Sequence, residues 1–329
     1  MKSLTQLLFS QQDQITLLAQ WKHCDEYGLS TRQFCDALIE NGTSTTKEIG
    51  QAGKDAPTRG EHFTDVLMDW YPPHIVNAIA FAEQAGDRQA GLTAGINQLQ
   101  GGQNIMLSII KLLWFPFALM IVAGGLGVYV SDSILDSMKE KGGIGQTLND
   151  IVSTYGIAIA LGLLLFIFLI TLALPTLTGP LRRHLDSWPV FVVYKIATAA
   201  SVLNTLGNLL ACGLKLDDAL KAIETSGSPY ERFHAQQMRD QRVGKMNLGD
   251  ILDTGLLLPF ELGALKILGS HGSYAPLLLK SALSHQADVK HRFARMSATL
   301  PKVGLLLVAL LLGGLMGTAM AQLLSTVNL

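Results

Sequence analysis

Three stretches of this chain, residues 112–130, 155–175 and 303–324, contain no Asp, Glu, Lys, Arg or His. Each has about the ~20 residues that a helix needs to cross ~30 Å of hydrocarbon. Inside a bilayer every backbone N–H and C=O must be satisfied within the protein, and a helix does this within one segment. The expectation is an all-α membrane protein with three transmembrane helices. Composition agrees, with 49% hydrophobic and 16% charged residues over 329 positions, against roughly 25% charged in an ordinary soluble domain. Such a chain is too apolar for intrinsic disorder. Three cysteines are too few for a disulfide scaffold, and a net charge of −1 excludes a nucleic-acid binder that works through bulk charge.

Charge sets an expected orientation. Residues 181–302 hold 15 Lys/Arg and 10 Asp/Glu, whereas residues 1–111 hold 8 and 12. Basic residues near helix ends favour the cytoplasm. Arg182 and Arg183 follow the second span, and Lys290, Arg292, Arg295 and Lys302 precede the third. Residues 176–302 are therefore expected in the cytoplasm. Counting three crossings puts 1–111 there too, with the loop 131–154 and the tail 325–329 outside. Lys139 and Lys141 in the loop are offset by Asp132, Asp136, Glu140 and Asp150. The apolar patch within residues 1–9 is cut short by Gln11, Gln12, Asp13 and Gln14, so it does not read as a cleaved leader.

The chain also aligns with itself. At an offset of 185, Leu18 meets Leu203, Gly28 meets Gly213, Leu29 meets Leu214, Gly42 meets Gly227 and Asp65 meets Asp250. After one inserted residue the offset is 186, and Pro73 meets Pro259, Ala78 meets Ala264 and Gly86 meets Gly272. Extending the register lays the first span over the third. The chain thus reads as a cytoplasmic domain with a membrane helix, then the same again. Two copies in one orientation need a return crossing between them, which is the second span.

Local signals make both copies helical. Ser30 and Gln33 form a Ser-x-x-Gln capping box before Phe34, Ala37 and Leu38 on one face, with Gly42 at the end. Asp217 and Asp218 open a helix that turns Ala219, Leu220 and Ile223 inward and ends at Gly227. Pro72 and Pro73 open another with Ile75, Ile79 and Ala82 apolar and Gly86 just beyond. In the third span Ala309, Gly313, Gly317 and Ala321 recur at four-residue spacing. That row lets a second helix approach closely, either within the monomer or across a subunit interface.

Chemistry is not visible. The eight histidines and three cysteines form no metal-ligand spacing. Cys24, Cys35 and Cys212 read as small core residues. There is no phosphate-binding glycine loop, Ser226-Gly227-Ser228 lacks a nucleophile-elbow context, and Gly142-Gly143-Ile144-Gly145 lies in the outside loop. The spans carry no ionisable group of the kind a transporter uses. Pro116 reads as a tolerated kink, and Gly124, Gly125 and Gly127 as packing residues. No enzyme, cofactor or metal is expected, and the reading is a membrane-anchored helical adaptor.

The segment Leu185-Asp186-Ser187-Trp188-Pro189, continuing to Leu209-Leu210-Ala211-Cys212-Gly213-Leu214-Lys215-Leu216-Asp217-Asp218-Ala219-Leu220, and the segment Glu83-Gln84-Ala85-Gly86 followed by Leu92, resemble motifs of the type II secretion F family. These are the inner-membrane platform proteins of type IV pilus assembly and type II secretion. The resemblance covers nearly the whole chain and implies that family's organisation of two homologous helical cytoplasmic domains and three membrane helices. Gly269-Ser270-His271-Gly272 lacks the family's glutamate in the second copy, and the short chain is closer to a type IVb-like pilus branch than to general secretion.

The resemblance implies a mechanical role in the bacterial inner membrane, with the N-terminus cytoplasmic and the C-terminus periplasmic. Its implied partners are a cytoplasmic assembly ATPase, pilin or pseudopilin subunits, other inner-membrane pilus assembly proteins, the lipid bilayer and further copies of itself, with no nucleic acid. Glu83, Gly86, Arg182 and Arg183 are the candidate partner-contact residues. The alternatives are a type II secretion platform and, in another class, a small-solute transporter.

Overall fold

The computed structural model of the chain describes residues 6, 9–101, 105–136, 143–270 and 273–327. Lys139, Glu140, Lys141, Gly142, His271, Gly272 and the last two residues of the 325–329 tail lie outside the described residues, as does most of the 1–9 patch. Helices joined by short turns make up the described residues, with no strand among them. The chain divides into two compact units. One comprises Met1–Gln103 with Thr176–Val289, and the other Asn104–Pro175 with Lys290–Leu329.

The helices are, in order, α1 (Gln11–Glu26), α2 (Thr31–Asn41), α3 (Ser44–Asp55), α4 (Phe63–Leu67), α5 (Pro73–Gln84), α6 (Arg88–Gly101), α7 (Ile105–Leu135) and α8 (Ile144–Thr176). They continue with α9 (Pro180–Leu185), α10 (Pro189–Ala211), α11 (Leu216–Ser226), α12 (Pro229–Arg242), α13 (Leu248–Ile251), α14 (Pro259–Leu268) and α15 (Tyr274–Val327).

The internal repeat is visible in these boundaries. The starts of α2, α3 and α4 lie 185 residues before those of α11, α12 and α13. The starts of α5 and α6 lie 186 before those of α14 and α15. Helices α1 and α10 end 185 apart, at Glu26 and Ala211. Caps repeat as well. The Ser30 box is formed with Gln33, and Thr43 and Ser228 cap α3 and α12 by accepting from the backbone N–H three residues on. Gly42 and Gly227 donate to the Leu38 and Ile223 carbonyls at 2.9 and 2.8 Å. Gly28 and Gly213 both turn the chain at positive φ, +72° and +87°, a region in which a Cβ is strained.

Inside the first unit, Trp21 stacks on Phe34 at 6.0 Å and meets Phe63 edge-on at 4.8 Å. This aromatic centre pins α1, α2 and α4 together, and Ile75, Ile79 and Leu92 extend the same core across α5 and α6. The predicted inward faces hold at Phe34 and Leu38, at Ala219, Leu220 and Ile223, and at Ile75, Ile79 and Ala82. Ala37 does not follow, since it is exposed and Cys35 takes the inner place. A Cys side chain fills more of the gap against α3, where a Cβ on Gly53 would come 2.8 Å from the Cys35 sulfur.

Four helices, not three, are long and apolar enough to cross a membrane: Ile105–Leu135, Ile144–Thr176, Pro189–Ala211 and Tyr274–Ser325. Their lengths exceed the uncharged stretches because helix continues into polar flanks. The expected 131–154 loop is accordingly shorter, with α8 beginning at Ile144. The additional helix, α10, differs from the others in burial. Of its most apolar window 67% is buried, against 17%, 6% and 22% for the rest.

The second unit packs α7, α8 and the C-terminal part of α15 through small residues. A Cβ on Gly127 would lie 2.8 Å from Leu315 Cδ1, one on Gly304 2.8 Å from Pro116 Cβ, and one on Gly145 3.0 Å from the Ala319 nitrogen. Helix continues through both Pro116 and Pro301.

Candidate functional site

Gly86 (φ +82°) turns the chain between α5 and α6, its N–H donating to the Glu83 carbonyl at 3.0 Å. The turn brings the Glu83 carboxylate onto the guanidinium of Arg88 at 2.7 Å, and Arg88 also pairs with Asp25 of α1 at 2.9 Å. The same guanidinium lies 5.7 Å from the centre of the Trp21 ring. Glu83 and Gly86 therefore belong to a half-buried acid–base–acid lock that fastens α1 to the α5–α6 turn. The sequence reading singled out Glu83 and Gly86 and missed Arg88 and Asp25. The pairing with Asp25 spans 63 residues and leaves no local signal.

Arg182 and Arg183 are neighbours with opposite fates. Arg183 is exposed on α9. Arg182 is 2% exposed, paired through Nε with Asp186 Oδ1 at 2.9 Å. Its guanidinium faces the Phe191, Tyr194 and Tyr230 rings at 4.7, 5.5 and 4.3 Å. A buried cation needs such a carboxylate and such π faces to offset its lost hydration. Arg182 is thus a fastener between α9, α10 and α12 rather than a surface group. Only an aromatic triplet scattered over forty residues could have signalled the cage. Burial raises the Tyr230 phenol, with Asp186 adding to the effect. His234, beside Tyr230 and 3.0 Å from the Thr254 hydroxyl, is pulled down to about 4 by burial, helped by Lys195 and Arg182.

The two copies in the first unit meet along a seam. Ala82 and Ala94 of the first copy pack with Cys212 and Leu214 of the second, and Gln98 Nε2 donates to Thr205 Oγ1 at 2.7 Å. A cleft of about 370 Å³ opens along this seam, walled by Ile75, Leu99, Val202 and Ile223, with Gln11, Gln14, Gln98, Thr205 and Glu231 among its polar groups. Glu231 is already engaged by the Ser228 cap.

In the second unit, Ala309, Gly313, Gly317 and Ala321 of α15 all face outward, and a Cβ built on Gly313 or Gly317 meets nothing within 4 Å. Packing inside the monomer uses other positions of that helix. Among the described residues no group of three or more His, Cys, Asp and Glu is placed to hold a metal ion. The three thiols are free, with Cys35 raised to about 11 by burial. Compared with known proteins, the chain matches no family model and no curated protein.

Proposed function

We propose that this chain is an inner-membrane platform protein of type IV pilus biogenesis, of a type IVb-like branch. In this reading it couples a cytoplasmic assembly ATPase to pilin polymerisation and performs no chemistry of its own. The observation that carries the proposal is the parallel repeat. Five successive helices of each copy, α2–α6 and α11–α15, start at positions that coincide at offsets of 185 and 186, and each copy continues into a long apolar helical segment. Two bodies of the same kind, each followed in sequence by a membrane helix, suit the passing of movement from a motor to subunits in the bilayer.

Three crossings fit this reading, with α7, α8 and the C-terminal part of α15 in the bilayer. Helix α10 stays in the cytoplasm. Its counterpart in the first copy is α1, a polar helix whose Leu17, Leu18 and Trp21 are core residues, and α10 likewise spends its apolar surface within the first unit. The N-terminus is then cytoplasmic and the C-terminus periplasmic. The two helical bodies, 1–111 and 176–302, are available to the ATPase, and pilin or pseudopilin subunits and other inner-membrane assembly proteins meet the membrane helices. Deleting the gene is expected to abolish surface pili while pilin is still made. Normal piliation would overturn the proposal.

A further inference from the structure

The seam between the two copies joins different faces. The first copy contributes Ala82, Ala94 and Gln98 from α5 and α6, and the second contributes Thr205, Cys212 and Leu214 from α10 and its exit turn. Such a head-to-tail contact uses one face of each copy and leaves the other face of each without its counterpart. The register identifies both. In the second copy Leu268, Lys280 and Ser284 of α14 and α15 stand where Ala82, Ala94 and Gln98 stand in the first. Leu268 is 51% exposed, and Lys280 and Ser284 are exposed. In the first copy Gln20, Tyr27 and Leu29 stand where Thr205, Cys212 and Leu214 stand in the second. Tyr27 is 82% exposed, and Gln20 and Leu29 are exposed too.

We infer that these two open faces bind each other between chains, so that a second copy of the protein continues the internal seam. The chemistry of the faces matches. Inside the seam an amide on α6 donates to a hydroxyl on α10. On the open faces the partners are exchanged: the amide, Gln20, is on α1, and the hydroxyl, Ser284, is on α15. Ser284 already donates to Glu261 at 2.6 Å, which leaves its oxygen to accept from Gln20. Leu268 meets Tyr27 and Leu29, and the Lys280 cation lies over the Tyr27 ring. Leu268, Lys280 and Tyr27 are larger than Ala82, Ala94 and Cys212 of the seam, so the contact between chains sets its helices further apart at that end.

The second unit carries the same directional pattern on other residues. Ala123, Gly127 and Ser131 of α7 form a buried small-residue row, and Gly127 packs on Leu312 and Leu315 of α15. At the same offset of 186, the row's counterpart is Ala309, Gly313 and Gly317, and the counterparts of Leu312 and Leu315 are Leu126 and Tyr129. The counterpart row is exposed, and Leu126 and Tyr129 are 57% and 72% exposed. Again one contact is made within the chain and its repeat is left open at both ends. A contact between unlike faces is heterologous, and successive chains close into a ring or run on as an open array.

The inference draws on the repeat and not on the platform reading. Its test uses the full-length chain in detergent or nanodiscs, with Cys24→Ala throughout because Cys24 lies one turn from Gln20. Differently tagged chains carrying Gln20→Cys or Ser284→Cys are mixed and treated with a short bis-maleimide. Covalent dimers are expected from the mixture and not from either variant alone. No dimer, or dimers of one variant with itself, would overturn the head-to-tail contact, whatever the outcome for piliation. In parallel, Leu268→Asp is expected to weaken self-association by roughly tenfold or more with unfolding of the chain unchanged. Unchanged self-association in that variant would also overturn it.

Discussion

At the scale of single residues, the contrast between Arg182 and Arg183 is the sharpest test of burial against exposure. Removing the Arg182 guanidinium takes the nearest cation from Asp186, leaving it Lys195 at 4.0 Å and the Tyr230 hydroxyl at 3.5 Å, and empties the space between three rings. Arg182→Ala is expected to cost about 3–5 kcal/mol in denaturant unfolding, and Arg183→Ala to stay within about 0.5 kcal/mol. His234 adds a pH dependence. Its folded value is lowered to about 4 from an ordinary 6.5, so the unfolded chain binds the proton more readily. The stability this group supports is full above pH ~6.5 and is lost as the pH falls toward 4, a loss of about 3 kcal/mol over that window. His234→Gln is expected to flatten that part of the stability profile, measured by unfolding at a series of pH values.

At the scale of elements, one small-residue row is used and its repeat is not. Gly127→Val places a branched side chain against Leu312 and Leu315, and is expected to lower stability in detergent by about 1–3 kcal/mol. Gly313→Val points into open space and is expected to leave the folding of the isolated chain unchanged within about 0.5 kcal/mol. The helices themselves were largely legible in the sequence, because their signals are local: the Ser30–Gln33 box, Gly42, Pro73 and the inward Ala219, Leu220 and Ile223 all act within one or two turns. What escaped was long-range. Asp25 reaches Arg88 only once α1 lies on the α5–α6 turn, and Cys35 displaces Ala37 because of what α3 presents to it. Helix α10 escaped as a candidate span because Lys195 interrupts its apolar run, although its overall character remains apolar enough to cross.

At the scale of the whole molecule, the account rests on a repeat that keeps its direction. Both copies lead into a long apolar helix, and copies that keep one direction need an even number of crossings between equivalent points, which makes the total odd. Helix α10 decides the matter: as a core helix it preserves the parity, and as a span it would put the second copy on the opposite side from the first. Its 67% burial against 6–22% in the other three candidates supports the former. Reporter fusions settle it in cells. A reporter joined after Asp136 is expected to behave as periplasmic and one joined after Ala222 as cytoplasmic. A periplasmic reporter after Ala222 would mean that α10 crosses, and would contradict the parallel repeat on which the account stands.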